Sequence, residues 1–374
     1  MTTCASASPS TIRFLLLSVG GGVAHNFFEA LGHRRQQCVL IGTNSIAAAA
    51  SSFRCDSIYR VPPAADREPY RARILELIEQ EQPHLVVPLR DDDVLVLAEI
   101  GERHPRLLPM LLTGTVASAR VMNDKWETAC FAARHGLPFA PTVQNAADAR
   151  ELAAVHGLPL IGKPRSGNAS EGVVLLRSTE EIERAFVGRT DLVAQPYLDP
   201  SANMEALIRP FDAGLPIVYA LPARMKYSVQ VFVGPDGSVS RSFGTASAET
   251  SARATEYRRR DDADLLEIGQ AYGRAAAAER WKGPLNVQLK RTRAGKLVAF
   301  ELNGRFTGGT APRAVLGFDE IGEVVASFLP DLAFAPLGSP ACEVAQSYLR
   351  SYPLSLTDVA KLERSGQWSG IGSA

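Results

Sequence analysis

The sequence predicts an α/β protein of more than one domain, in which an N-terminal parallel sheet is followed by mixed α+β stretches. Three observations carry this expectation. At 374 residues the chain exceeds what one hydrophobic core ordinarily supports. Short apolar runs alternate with amphipathic helical segments through about Gly114, the order that builds parallel strands covered by helices. Beyond that point β-rich runs and a hairpin signal take over, with no internal repeat.

Taken in order, residues 1–11 read as a loose leader, since Met1 to Ser10 are small and polar without apolar periodicity. The N-terminal domain is expected over 12–115. Its first strand, Ile12 to Val19, is apolar apart from Arg13 and Ser18 and ends in Gly20, Gly21 and Gly22. That run is too short for a secretion signal and lacks a cleavage site, so it reads as a buried strand. Cys38 to Ile41 and Leu85 to Leu89 are further strands, and Tyr70 to Glu81 and Asp93 to Arg103 have the three and four spacing of helices.

A second unit, 116–200, begins with a helix near Asn123 to His135 and a turn into a strand at Phe139 to Val143. A helix at Ala146 to His156 and a strand at Leu158 to Lys163 come next. Strands are then expected at Gly172 to Arg177, Asp191 to Ala194 and Glu205 to Arg209, around a helix at Thr179 to Phe186. The third unit, 201–330, has strands at Ile217 to Leu221, Val229 to Val233 and Ser238 to Gly244, with a hairpin at Gly234-Pro235-Asp236-Gly237. A helix from about Asp262 to Trp281 precedes strands at Leu285 to Lys290 and Lys296 to Leu302, joined at Gly295. Residues 331–374 form a C-terminal extension.

Charge and composition narrow the function. Forty basic and forty acidic residues leave a formal net charge of +0, which lacks the basic excess that holds nucleic acid. No apolar stretch reaches the ~18 to 20 residues that span a bilayer, so a cytoplasmic location is expected. The five cysteines, Cys4, Cys38, Cys55, Cys130 and Cys342, form no CxxC pair and read as reduced thiols.

Two segments carry chemistry. In Ile161-Gly-Lys-Pro-Arg-Ser-Gly-Asn-Ala-Ser-Glu-Gly-Val173 a strand delivers Lys163 into a loop of small residues. Backbone N–H groups of such a loop can approach phosphate oxygens while the lysine adds a point charge. The lysine precedes the glycines, so this is not a Walker P-loop. In Phe300-Glu-Leu-Asn-Gly-Arg-Phe-Thr-Gly-Gly-Thr310, Glu301 and Asn303 share one face of an extended chain and can offer oxygens to one hard cation, with Arg305 continuing that face. Gln288 on the preceding strand could lie beside Glu301 and complete a magnesium site.

On these segments the chain resembles ATP-grasp enzymes over about Ile12 to Phe328, nearest to the carboxylate–amine ligases whose ATP-binding half is like that of carbamoyl-phosphate synthase. The resemblance implies a Rossmann-like N-terminal domain followed by two α+β subdomains that clasp ATP. It places Lys125 and Lys163 at the α- and β-phosphates, with Ser170 in the KPxxGxxSxGV loop. Gln195-Pro196-Tyr197-Leu198 matches the hinge that clasps adenine, and Glu205, with Asp199 as an alternative, matches the acidic residue reaching ribose. Gln288, Glu301 and Asn303 match the metal ligands, for Mg2+ or Mn2+, and Arg305 lies near the γ-phosphate. Arg224 and Lys226 resemble a basic element directed at the transferred phosphate or the substrate carboxylate. Gly304, where proline is frequent, and Ala169, where glycine is common, depart from the pattern and bear on loop rigidity.

The implied activity is ADP-forming ligation: a carboxylate is activated as an acyl phosphate and passed to an amine, an amino acid or small amino compound, by a protein that could be a homodimer. Lys163, Arg224 and Arg305 are the expected catalytic cations. Two competing readings remain. The Val19-Gly-Gly-Gly-Val23 turn suggests a nicotinamide-dependent oxidoreductase, although His25 stands where the third glycine of GxGxxG belongs. A nucleotide-binding protein without turnover is the other.

Overall fold

Ile12–Leu16 (β1) lies inside a five-stranded sheet, which explains its unbroken apolar character. Gly22–Leu31 (α1), Cys38–Asn44 (β2), Ser57–Arg60 (β3), Arg67–Glu81 (α2), Leu85–Val87 (β4) and Asp91–Arg103 (α3) follow it. β1 pairs in parallel with β2 and β4, and β2 with β3. Successive residues of β1 serve opposite faces. Phe14 and Leu16 pack with Phe27 and Leu31 of α1, whereas Leu15 packs with Ile74, Leu77 and Leu97 of α2 and α3. The computed structural model describes residues 11–167, 171–198, 209, 224–250, 253–292, 294–338, 342–348 and 350–370, with the side chains of 224, 249, 250 and 253–255 left aside.

Val116–Asn123 (α4) and Lys125–Arg134 (α5) lead into a small antiparallel sheet. Ala146–His156 (α6), Leu160–Pro164 (β5), Val174–Leu176 (β6), Thr179–Phe186 (α7) and Leu192–Pro196 (β7) make up that layer, with strand order β6-β5-β7. Leu160, Leu176, Ile182 and Ala194 are its core. The strand expected at Phe139 to Val143 is not formed. Phe139 and Val143 make single bridges to Ala299 and Ala194, because this segment links two sheets and joins neither ladder.

The largest sheet comprises Arg224–Val233 (β8), Phe243–Thr250 (β9), Arg253–Arg260 (β10), Gly283–Arg291 (β11), Leu297–Asn303 (β12) and Val344–Gln346 (β13), in the order β12-β11-β8-β9-β10-β13. Ala263–Ala278 (α8) covers one face. Alternation is clearest in β11, where Leu285, Val287 and Leu289 are fully buried in that layer while Asn286, Gln288 and Lys290 face the other side. The strand expected from Ser238 begins only at Phe243. Gly234 N–H donates to the Ser238 carbonyl at 2.8 Å, so the hairpin turn extends beyond its four signal residues. Of the strand expected at Glu205 to Arg209 only Arg209 is described, and it is helical. The expected strand Ile217 to Leu221 lies outside the described residues.

Thr310–Val315 (α9) and Glu320–Phe328 (α10) return the chain to the N-terminal layer, where Ile321 and Val325 join Phe27 and Phe232 in one core. Residues after 330 are shared between layers. β13 extends the large sheet at β10, Leu356–Ser365 (α11) buries Val359 and Leu362 in the N-terminal core, and Gln367–Ser369 (β14) pairs antiparallel with β3. Among the described residues no helix is long and apolar enough to cross a membrane.

Candidate functional site

The site is a cleft between the small sheet, the polar face of the large sheet and the tip of α3. β5 and β7 pair so that Ile161 opposes Gln195 and Lys163 opposes Val193. Lys163 Nζ donates to Gln195 Oε1 at 2.8 Å, and Gln195 Nε2 donates to Thr142 Oγ1 at 2.9 Å. This chain of bonds fixes the orientation of a glutamine that is 1% exposed. Pro196 is buried, and Tyr197 and Leu198 are half-buried just beyond it.

Asp124 caps α5 by accepting from the backbone N–H groups of Trp126 and Glu127. Its carboxylate also takes Arg165, with Nη2 to Oδ2 at 2.8 Å, and Lys125 N–H donates to the Arg165 carbonyl at 2.9 Å. These contacts tie α5 to the glycine-rich loop and bring Lys125 Nζ to 3.4 Å from the Gly167 carbonyl. Of the two lysines expected at the phosphates, Lys163 thus leads into the loop from β5 and Lys125 reaches the Gly167 carbonyl within it.

The acidic side comes from β12. Gln288 and Glu301 are directly opposed on β11 and β12, as are Asn286 and Asn303, and an irregularity in pairing falls right after Gln288. Glu301, Asn303, Lys125, Gly167, Thr128 and Asp91 line a common pocket. Lys163 Nζ lies 4.8 Å from the centre of the Phe300 ring. Burial pushes the Lys163 ammonium down to about 8, against the attraction of Glu301 and with the repulsion of Lys125 and Lys290. Lys163 and Glu301 thus feel each other across the cleft.

Arg305 is 6% exposed. Its Nη2 donates to Asp91 Oδ2 at 2.6 Å and to Asn303 Oδ1 at 3.1 Å, and Nη1 donates to the Phe306 carbonyl. Asp91 is the first residue of α3, and Asp93, two residues on, caps the start of that helix. The fully buried Asp93 carboxylate accepts from Ser18 Oγ at 2.9 Å, Tyr70 OH at 2.7 Å and the Leu89 and Arg90 N–H groups. Burial raises Asp93 to about 6, and those hydrogen bonds oppose the shift.

Of the residues singled out from sequence, Lys125, Lys163, Gln195, Gln288, Glu301, Asn303 and Arg305 come together here. Arg224 and Lys226 lie on β8; Ser170, Asp199 and Glu205 lie outside the described residues. Thr142, Phe300 and Asp91 were not singled out. The only signal for Asp91 was the acidic run after the β4 strand, at the C-terminal end of a parallel sheet, where open α/β folds place ligands.

In the Gly20-Gly21-Gly22 turn, packing accounts for Gly20 alone. A Cβ on Gly20 would lie 2.4 Å from Asn44 Nδ2. His25, at the third glycine position, is 3.1 Å from Tyr352 OH through Nδ1, so the C-terminal segment covers this face of α1.

No family model matches the chain. A formate-dependent phosphoribosylglycinamide formyltransferase of Xanthomonas campestris pv. campestris is 36% identical over 116 residues, 29% of this chain and 28% of that protein. Its counterpart in Stenotrophomonas maltophilia is 37% identical over the same length. The chain spans 28% of the length of these curated relatives. Solved structures with a similar fold include Staphylococcus aureus N5-carboxyaminoimidazole synthetase complexed with ADP, with a TM-score of 0.64 and 10% identity over 89% of this chain and 82% of that one. Biotin carboxylase of Campylobacter jejuni gives 0.61 and 17% over 85% and 71%. An L-amino acid ligase of Bacillus licheniformis gives 0.60 and 15% over 86% and 75%.

Proposed function

The chain has the ATP-grasp fold, and from that premise we propose that it is an ADP-forming carboxylate–amine ligase acting on small molecules in the cytoplasm. One observation carries the reading. Lys125 and Lys163 meet a glycine-rich loop on one side of a cleft whose other side presents Glu301, Asn303 and, across the ladder, Gln288. Cations for phosphate oxygens and oxygen ligands for a hard metal thus share one space.

Residues 116–200 and 201–330 are the two halves of the clasp in this reading. Gln195 offers adenine an amide whose two ends are already oriented, and Lys125 and Lys163 hold the phosphates. The donor set fits magnesium, since Glu301, Gln288 and Asn303 offer oxygens on one face of adjoining strands. Bound there, the ion would neutralise charge on the phosphates. Arg305 balances charge on the transferring group, and Asn303 must exchange its bond to Arg305 to turn Oδ1 toward a metal. The loop after Lys163 excludes water from an acyl phosphate that would otherwise hydrolyse.

The test is ADP release from ATP and Mg2+ with pairs of small carboxylates and amines, followed by mass analysis of the product. A product containing both substrates is expected. ATP binding with no stimulated ADP release by any pair would support a protein that binds nucleotide without turnover.

A further inference from the structure

The segment between α5 and α6 is hydrogen-bonded to both the large and the small sheet. At its start the Ala140 N–H donates to the Ala299 carbonyl of β12 at 2.7 Å, and the Ala299 N–H donates to the Pro138 carbonyl at 3.0 Å. At its end Val143 exchanges two backbone bonds with Ala194 of β7, at 3.0 and 2.8 Å. Ala299 stands two residues before Glu301, and Ala194 immediately precedes Gln195. Thr142, half-buried, lies between these anchors. Its hydroxyl donates to the Ala140 carbonyl at 2.8 Å, so toward Gln195 its oxygen can only accept, and it takes Nε2–H at 2.9 Å. That leaves Oε1, at the other end of the amide, to accept from the Lys163 ammonium, which is a donor only. Four hydrogen bonds thus lead from β12 to Lys163 Nζ, and the Thr142 hydroxyl sets the direction of the last two.

We propose that Thr142 is a positioning residue for Lys163: its hydroxyl holds the Gln195 amide with the carbonyl toward the lysine, and so sets where the ammonium stands relative to β12, the strand of Glu301 and Asn303. The proposal rests on the phosphate role given to Lys163 in the ligase reading above, and adds to it a residue that acts on the nucleotide only through others. A lysine is a point charge on a flexible four-carbon stem, so its place depends on what accepts its hydrogens. Gln195 by itself does not supply a fixed acceptor, because the amide turned end over end would present Nε2, a donor, to a donor. Thr142 removes that alternative. The turned amide would bring Oε1 against a hydroxyl oxygen whose hydrogen is committed to Ala140. The charged groups acting on Lys163 are Glu301 on β12, Lys125 on α5 and Lys290 on β11. None belongs to the uncharged segment from Pro138 to Val143, so a change at Thr142 reaches the lysine through Gln195 and not through a new or missing charge.

The experiment uses the full chain, Mg2+ and a nonhydrolysable ATP analogue, with affinity measured by calorimetry across a range of pH and folding by urea titration. Thr142→Val keeps the shape of the side chain and removes the hydroxyl. It should weaken binding of the analogue by about three- to tenfold, the worth of one hydrogen bond to a charged group. It should also move the fall in affinity with rising pH to lower pH than in wild type, because an ammonium without its acceptor gives up its proton more readily. Thr142→Ser, which retains a hydroxyl, should restore both the affinity and the profile. In a Lys163→Met background Thr142→Val should have no further effect on affinity, since the lysine through which it acts is gone. Should the valine variant misfold, Thr142→Ala makes the same comparison. An unmoved pH profile in the variant without the hydroxyl, whether or not the urea midpoint falls, overturns the proposal, as does an undiminished loss of affinity in the Lys163→Met background. Either result leaves the ligase reading standing. Failure of the wild-type chain to bind the ATP analogue overturns both.

Discussion

Asp91 Oδ2 meets Arg305 Nη2 at 2.6 Å, joining the tip of the N-terminal helix α3 to the end of β12 by an ion pair whose side chains are 12% and 8% exposed. The pair bridges 214 residues of sequence and makes the N-terminal layer part of the cleft wall. Removing one partner of a buried pair strands the other charge, at a cost of about 3–5 kcal/mol. Asp91→Ala should therefore lower unfolding stability by roughly 3 kcal/mol in urea titration. A loss below 1 kcal/mol would mean that Arg305 finds other compensation.

Glu301→Ala removes an oxygen ligand and leaves its backbone in the ladder with Gln288. ADP formation should fall at least a hundredfold while the circular dichroism spectrum and urea midpoint stay near wild type, because Glu301 lies on the cleft face and outside the apolar core. Normal turnover in this variant defeats the metal assignment.

Lys163→Met should weaken nucleotide binding by about tenfold or more, the worth of a charge-assisted hydrogen bond. A pH profile tests the same role independently. Burial sets the free Lys163 ammonium at about 8. Phosphate contact stabilises the charged form and raises its pKa in the complex. Affinity should thus be flat below pH 8 and fall as pH rises from about 8 to the higher value of the complex, by at most tenfold per unit. Lys163→Met should abolish that slope, and a flat wild-type profile would contradict the assignment.

The neighbours of Gly304 leave no room for a side chain. A Cβ there would lie 2.6 Å from Trp281 Cη2 and 2.8 Å from Met122 Cβ. Gly304→Ala should cost about 1–3 kcal/mol from overpacking, read as a lower melting temperature. Trp281→Phe, which shortens the ring, should relieve part of that loss in the double variant.

The elements legible in sequence were those whose pattern is local. β1 and β2 read as strands because both faces are buried, and α7 because its caps and apolar spacing agree. β3 was missed: only Ile58 and Tyr59 of its four residues are buried, too short a run to show alternation. β14 was missed because Gln367, Trp368 and Ser369 become a strand only by lying against β3. The candidate site divides the same way. Lys163, Glu301 and Asn303 sit in contiguous motifs, whereas Asp91 and Thr142 gain meaning only from partners that folding brings to them.

That last strand has a consequence for how the protein is made. β3 is the edge of the N-terminal layer until β14 covers it, yet Gln367 is synthesised more than three hundred residues after Ser57. While the ribosome builds the intervening segments, a naked ribbon of unpaired amides and carbonyls faces solvent, a template for unwanted association. The N-terminal layer is thus the first to begin and among the last to be sealed.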